Sequence, residues 1–255
     1  MEVKHISSAE NEYIKTLVKL KDRKYRERFG LFIVEGERSA RDAVSSGFPV
    51  DSVVMTESYF ERRDNVFSEQ NIITVPDKLF KALCDTKTPQ GVLAVAKLPE
   101  GNREISGKTY ICCDCIQDPG NAGTIIRSAD AFGFDGVIFM KGSVDVFSPK
   151  VIRSSMGSVF HIPVITDVDA KWLNAKKQEG YFLSVTALHR DSVALRCGTF
   201  TDQQIFVIGN EGNGVSDAVL SMADETVHIP MQGSAESLNA GVAASVLMYE
   251  VSCHG

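Results

Sequence analysis

The chain has 255 residues, 44% hydrophobic and 24% charged, with a formal net charge of −6, which gives length and apolar content for two packed domains. No apolar run approaches the roughly 18 residues of a membrane span, and the N-terminal M-E-V-K-H-I-S-S lacks a signal-peptide core, so a soluble cytoplasmic protein is expected. Cys112, Cys113 and Cys115 crowd together without the C-x-x-C spacing of zinc or redox sites; they read as small buried hydrophobes, with Cys113 and Cys115 on one strand face, and no metal is expected.

Charge is unevenly spread. From Lys15 to Arg28 seven cations stand against Asp22 and Glu27, a local +5 that leaves the rest of the chain at −11. Ile14, Leu17, Val18 and Tyr25 recur there at roughly helical spacing, predicting one helix over Asn11 to Arg28 with a basic face. A solvated surface helix is the ordinary fate of such a run. Seven cations in fourteen residues beside a tyrosine favour RNA contact instead, with Lys19, Arg23, Lys24 and Arg26 as phosphate ligands.

F-I-V-E-G from Phe32 predicts a strand, and a helix from Glu37 stops at Gly47. Further strands are expected at Val53 to Thr56, Ile72 to Val75 and Val92 to Lys97, with helical stretches near Tyr59 to Arg63 and Lys78 to Asp85. That alternation makes a small α/β/α domain over residues 1–98. L-P-E-G-N-R-E-I-S-G follows without periodicity, so residues 99–107 are a linker and 108–255 a second domain.

The second domain alternates strands and helices throughout, the pattern of a parallel α/β sheet. Tyr110 to Ile116 reads as a buried strand, and Pro119-Gly120 turns into a helix with Asn121 as N-cap. Ile125, Ala129 and Phe132 form its apolar stripe, and Arg127 lies off it, where a surface ion pair with Asp118 or Asp130 would be its ordinary role. Val137 to Met140 and Tyr181 to Ala187 are strands, with an amphipathic helix over Trp172 to Gly180. Ile205 to Ile208 stops at Gly209, Gly212 and Gly214, and Ser216 is placed to cap a helix. A shorter strand at Val227 to Ile229, a loop from Pro230 to Ser237 and a strongly apolar helix repeat that arrangement. Two loops leaving one strand edge wall a pocket. The glycines run G-x-x-G-x-G, not the dinucleotide order, and the loops carry no lysine or arginine, so the ligand is no polyphosphate and is read through an adenine and a ribose.

Together these segments resemble the three ordered motifs of the SpoU (TrmH) branch of the SPOUT methyltransferases. D-P-G-N-A-G-T-I-I-R at Asp118 to Arg127 is similar to the first motif, I-G-N-E-G-N-G at Ile208 to Gly214 to the second, and I-P-M-Q-G-S-A-E-S-L-N-A-G at Ile229 to Gly241 to the third. R-S-S-M-G-S-V-F-H-I-P at Arg153 to Pro163 also matches, so the likeness runs from Lys108 to the C-terminus. The N-terminal part resembles the ribosomal-protein-like RNA-binding domain that many members carry, with the loop Thr86 to Gln90 and the helix opening at Gly36 toward RNA.

The resemblance implies a SPOUT domain ending in a C-terminal trefoil knot, a homodimer through that domain, and S-adenosylmethionine as methyl donor to a ribose 2′-hydroxyl. It implies that Thr186, Leu188, Gly209, Ile229, Met231 and Leu238 hold the cofactor. Asn121, Glu211, Ser237 and Asn239 would orient its methionine end and the catalytic Arg127, and Arg153 would lie near the RNA. Arg127 is assigned either the hydroxyl proton or, since guanidinium has a pKa above about 12, electrostatic stabilisation of the alkoxide. The ribosomal-protein-like front domain favours 23S rRNA over tRNA. A non-catalytic ribosome-assembly factor on the same fold is the rival class, and intact Asn121, Arg127, Glu211 and Asn239 weigh against it.

Overall fold

The structure, a computed structural model, describes all residues except 1–2, 64, 100–103, 189–190, 236 and 255. In chain order the elements are β1 (Val3–His5), α1 (Glu12–Lys19), α2 (Arg23–Phe29), β2 (Leu31–Glu35), α3 (Glu37–Ser45), β3 (Val50–Thr56), α4 (Glu57–Arg62), β4 (Ile72–Val75), α5 (Asp77–Leu83) and β5 (Val92–Lys97). They continue with β6 (Thr109–Cys113), α6 (Pro119–Ala131), β7 (Gly136–Met140), α7 (Pro149–Ser154), β8 (Val164–Val168), α8 (Ala170–Gln178), β9 (Phe182–Thr186), β10 (Val193–Ala194), β11 (Gln204–Ile208), α9 (Asp217–Leu220), β12 (Glu225–His228) and α10 (Ala240–Ser252). They form two compact units: residues 1–100 with 147–160, and residues 101–146 with 161–255. The linker expected at 99–107 lies partly outside the described residues.

The first unit is built on a mixed sheet of order β1-β4-β3-β5-β2, in which β1, β4 and β3 run parallel and β5 is antiparallel to both β3 and β2. Ile14, Leu17, Leu20, Phe80 and Leu83 pack with Val54, Leu93 and Val95 on one face of it. Residues 147–160 belong to this unit through aromatic contacts: Phe147 lies 5.0 Å from Phe32 and Phe160 5.2 Å from Phe48, ring centre to centre. Gly157, at a φ of +99° that side-chain-bearing residues rarely adopt, seats its backbone against the Asp42 carboxylate. The edge strand β1 is exposed throughout, so it carries no apolar alternation by which sequence could reveal it.

The single basic helix expected over Asn11 to Arg28 is two helices. The chain turns at Leu20 to Asp22 because Leu20 is buried and the backbone groups freed by the break are bonded elsewhere. Arg26 donates from Nη1 to the carbonyls of Leu20 and Lys21, at 2.7 Å each. Lys21 donates to the carbonyls of Ala82 and Cys84, at 2.9 and 2.8 Å, where α5 ends. Two of the seven cations are therefore structural. Arg26, only 4% exposed, is withdrawn from the expected phosphate ligands.

The second unit carries a seven-stranded sheet of order β10-β12-β9-β11-β6-β7-β8, parallel at every pairing. β6 has β7 on one side and β11 on the other. The strand order reverses at β6 and β11, and a crevice at such a switch point, beyond the carboxyl ends of the strands, is where open α/β sheets take their ligands. The long strand expected from Tyr110 to Ile116 stops at Cys113, because Cys115 adopts a left-handed φ of +58°. Cys113 and Cys115 therefore do not share a strand face.

Candidate active site

Three loops meet at this crevice. The loop after β11 is folded by its own polar groups: Asn210 and Gly214 exchange backbone hydrogen bonds of 2.9 and 3.0 Å. Asn210 Oδ1 also accepts from the backbone N–H of Gly212 and Asn213, at 2.9 and 3.1 Å. Gly209 lies so close to the returning chain that a Cβ would overlap the backbone of Gly214 and Val215, so only glycine fits. The loop is tied to the end of β6 twice. Asn210 Nδ2 donates to the Cys115 carbonyl at 2.8 Å, and the Ser216 N–H donates to the buried Asp114 carboxylate at 2.8 Å. Asn210 and Asp114 thus shape the site, and the sequence reading passed over both. A polar side chain at the carboxyl end of each central strand, Ile208-Gly-Asn210 and Cys113-Asp114, was the available signal.

The first motif opens α6. Its N-cap is Asp118, not Asn121: the Asp118 carboxylate accepts from the Asn121 N–H at 2.8 Å, and Pro119 occupies the first helical position. Asp before Pro is the better start signal, since proline lacks the N–H that a first-turn residue leaves unpaired. Relieved of capping, the Asn121 side chain, 6% exposed, donates to Glu211 Oε1 at 2.7 Å. Burial raises the Glu211 carboxyl, but the Asn121 side chain and the backbone N–H groups of Glu211, Gln117 and Asp118 outweigh it and hold the group below its ordinary value. Glu211 is thereby kept ionised and aimed.

The third motif opens α10. Asn239 is its N-cap, accepting from the Val242 N–H at 3.2 Å. Gly241 lets α10 approach α6 until its α-carbon faces Asn121 and Thr124, and Ser128 and Ser245 hydrogen-bond between the two helices at 2.7 Å. Around most of its girth the helix is apolar, yet Val242, Val246 and Tyr249 stand 47%, 38% and 58% exposed on one stripe.

The second- and third-motif loops, with the segment after β9, line a cavity of about 860 Å³, within the size range of small-molecule sites. All six residues expected to hold a cofactor line it: Thr186, Leu188, Gly209, Ile229, Met231 and Leu238. Glu211 and Ser237 line it too. Thr186 has already spent its hydroxyl on the Val207 carbonyl at 2.9 Å, which leaves its backbone and methyl group for a ligand. Among the described lining residues there is no lysine or arginine, while Glu211 and Asp217 bring carboxylates. The lining therefore suits a ligand with an apolar aromatic part and positive charge, and repels polyphosphate.

Arg127, on the third turn of α6, is exposed and not among the cavity's lining residues. The ion pairs that would give it an ordinary surface role do not form. Asp118 caps Asn121, and Asp130 faces His161 at 3.6 Å. Arg127 makes no hydrogen bond or ion pair among the described residues. Arg153 lies in the first unit and bonds the Asp85 carboxylate at 2.8 Å. Glu211, Ser237 and the cofactor set thus line one cavity, with Asn121 bonded to Glu211 and Asn239 capping α10, whereas Arg127 is not among the lining residues and Arg153 belongs to the first unit.

A cavity of this lining, beyond the carboxyl ends of β9, β11 and β12, is a small-molecule site on a parallel α/β sheet. Residues 108–249 match the SpoU rRNA methylase family and residues 11–94 the MRM3-like substrate binding domain. The chain is 34% identical over 249 residues to the 23S rRNA (guanosine(2553)-2′-O)-methyltransferase RlmP of Bacillus subtilis (strain 168), covering 98% of this chain and 99% of that one. It is 35% identical over 250 residues to the 23S rRNA (uridine(2479)-2′-O)-methyltransferase of Streptomyces viridochromogenes, covering 91% and 85%. An AdoMet-bound rRNA methyltransferase from Sinorhizobium meliloti superposes with a TM-score of 0.87 at 28% identity, over 99% of this chain and 98% of that one. The chain belongs to the SpoU rRNA methylase family. It is an S-adenosylmethionine-dependent RNA ribose 2′-O-methyltransferase.

Proposed function

We propose that the chain methylates one ribose 2′-hydroxyl of 23S rRNA. The observation that carries this reading is the 2.7 Å bond from Asn121 to Glu211, which joins the first motif to the second-motif loop that lines the cavity. The full-length likeness to two enzymes named for 23S rRNA supports the substrate. S-adenosylmethionine, when bound, supplies an electrophilic methyl group on a cationic sulfur. Gly209, Ile229, Met231 and Leu238, with Thr186 and Leu188, hold it chiefly through backbone groups; Glu211, positioned by Asn121, and Ser237 fix its charged end. A ribose hydroxyl is a poor nucleophile until it loses its proton. Arg127, its guanidinium uncommitted, stabilises the developing alkoxide, and a group other than guanidinium takes the proton.

Arg127 lies away from the cavity of its own chain, and the exposed stripe of α10 belongs to the helix packed against α6. Both features support a homodimer through the catalytic domain in which each site is completed by two chains. Residues 1–98, joined in their unit by 147–160, act as the RNA-binding domain and the remainder of 108–255 as the catalytic one, ending in the trefoil knot. Lys19, Arg23 and Lys24 meet RNA phosphates, and Arg153 does so by exchanging Asp85 for phosphate.

The test is a map of 2′-O-methyl sites in total RNA from a strain lacking the gene. Loss of one 23S rRNA site, restored by the wild-type gene and not by Arg127→Ala, is expected. Loss of a tRNA site would overturn the substrate, and an unchanged map the activity.

A further inference from the structure

The break between α1 and α2 sorts the basic run into two sets. Arg26 is buried against backbone carbonyls and Lys21, though exposed, is bonded to two more; Arg23 pairs with Glu27, and Lys19, Lys24 and Arg28 remain exposed. The exposed set gathers round two aromatic rings. Tyr25 and Phe29, one helical turn apart, lie nearly parallel at 14° with centres 6.2 Å apart. The ammonium groups of Lys24 and Lys19 lie 4.8 and 5.7 Å from the Tyr25 ring centre, and the Arg28 guanidinium lies 5.5 Å from that of Phe29. Phe29 is anchored on the core of its unit. Tyr25 lies outside that core; its ring is half-exposed, and its hydroxyl makes no hydrogen bond among the described residues.

A tyrosine serving only the fold would be expected to bury its ring or bond its hydroxyl. Tyr25 does neither. Aromatic rings beside mobile cations are the means by which proteins hold unpaired nucleotides, the ring stacking a base and the cations taking the adjoining phosphates. A lysine resting on a half-buried ring at the surface is weakly held, so a base can displace it and leave its ammonium free for phosphate.

We propose that Tyr25, backed by Phe29, is a stacking site for an unpaired RNA base, with Lys19, Lys24 and Arg28 on the flanking phosphates. The inference rests on the RNA-binding reading of the first unit and goes beyond it. A purely electrostatic patch would accept duplex and unpaired RNA alike, whereas this site distinguishes them.

The test uses the full chain and two fluorescein-labelled RNAs of equal charge, a hairpin with an unpaired loop and a blunt duplex, with binding followed by anisotropy over a salt series. Tyr25→Ala should weaken hairpin binding by about 5- to 150-fold and leave duplex binding unchanged. Tyr25→Phe, which keeps the ring, should bind the hairpin as wild type does. Lys19→Ala with Lys24→Ala should weaken both RNAs with a shallower salt dependence. Unchanged hairpin binding by Tyr25→Ala, or equal loss on both RNAs with an unaltered melting temperature, would overturn the stacking site alone. Failure of the wild-type chain to bind either RNA would overturn the RNA-binding reading and the stacking site with it.

Discussion

Replacing Arg127 with alanine separates chemistry from fold. The side chain is exposed and makes no hydrogen bond or ion pair among the described residues, so its removal orphans no buried group. Asp118 keeps its cap on Asn121 and Asp130 its contact with His161. The change in stability should therefore stay within about 0.5 kcal/mol, the usual range of surface substitutions. Cofactor affinity should also hold, since Arg127 is outside the cavity lining. Losing one preorganised charge stabiliser costs roughly 2.7–4 kcal/mol of transition-state energy, a rate loss of about 100- to 1000-fold. Single-turnover methyl transfer on the mapped rRNA fragment, with melting curves and cofactor titration on the same preparations, measures all three quantities. Arg127→Lys divides the two chemical roles. Lysine keeps the charge without the planar fork and loses its proton near a pKa of about 10.4. An electrostatic role predicts that the residual lysine rate does not climb as pH approaches that value; a base role predicts that it does. An Arg127→Ala protein that methylates at the wild-type rate would remove Arg127 from the mechanism.

Other consequences can be checked separately. Gly209→Ala would drive a Cβ into the backbone of Gly214 and Val215, which cannot give way as a side chain could, so a stability loss of about 1–3 kcal/mol with weakened cofactor binding is expected in melting and calorimetric titration. Because the folded-state pKa of Glu211 is depressed, its stabilising contribution is fully present above its unfolded value of about 4.5 and disappears as pH falls through the lower folded value. The difference in melting temperature between wild type and Glu211→Gln should accordingly be constant above about pH 5 and shrink below the ordinary glutamate range; a difference that grows on acidification would contradict the Asn121 bond as its source. Val246→Asp places a charge in the exposed apolar stripe of α10 and should convert a dimer to a monomer in light scattering at micromolar concentration. A wild-type chain that is already monomeric there would refute the shared site.

Much of this protein is local in origin and so could be read along the chain. Apolar runs ending in glycine located β2 and β11, and the order of three short motifs pointed to the family. Those signals survive because strand propensity, turn chemistry and close backbone approach at Gly209 act over a few residues. What the chain order withheld was decided by contacts between distant segments. Arg26 and Lys21 look like their exposed basic neighbours, and only the carbonyls of Leu20, Lys21, Ala82 and Cys84 make them structural. Asn121 reads as a cap until Asp118 takes that role and frees its amide for Glu211, ninety residues away. The attachment of residues 147–160 to the first unit, through Phe32 and Phe48, has no local periodicity to announce it. A side chain's partner depends on where the sheet and its helices bring other segments, and hydrogen bonding and burial at those junctions determine whether a charge or amide serves the fold or remains free for function.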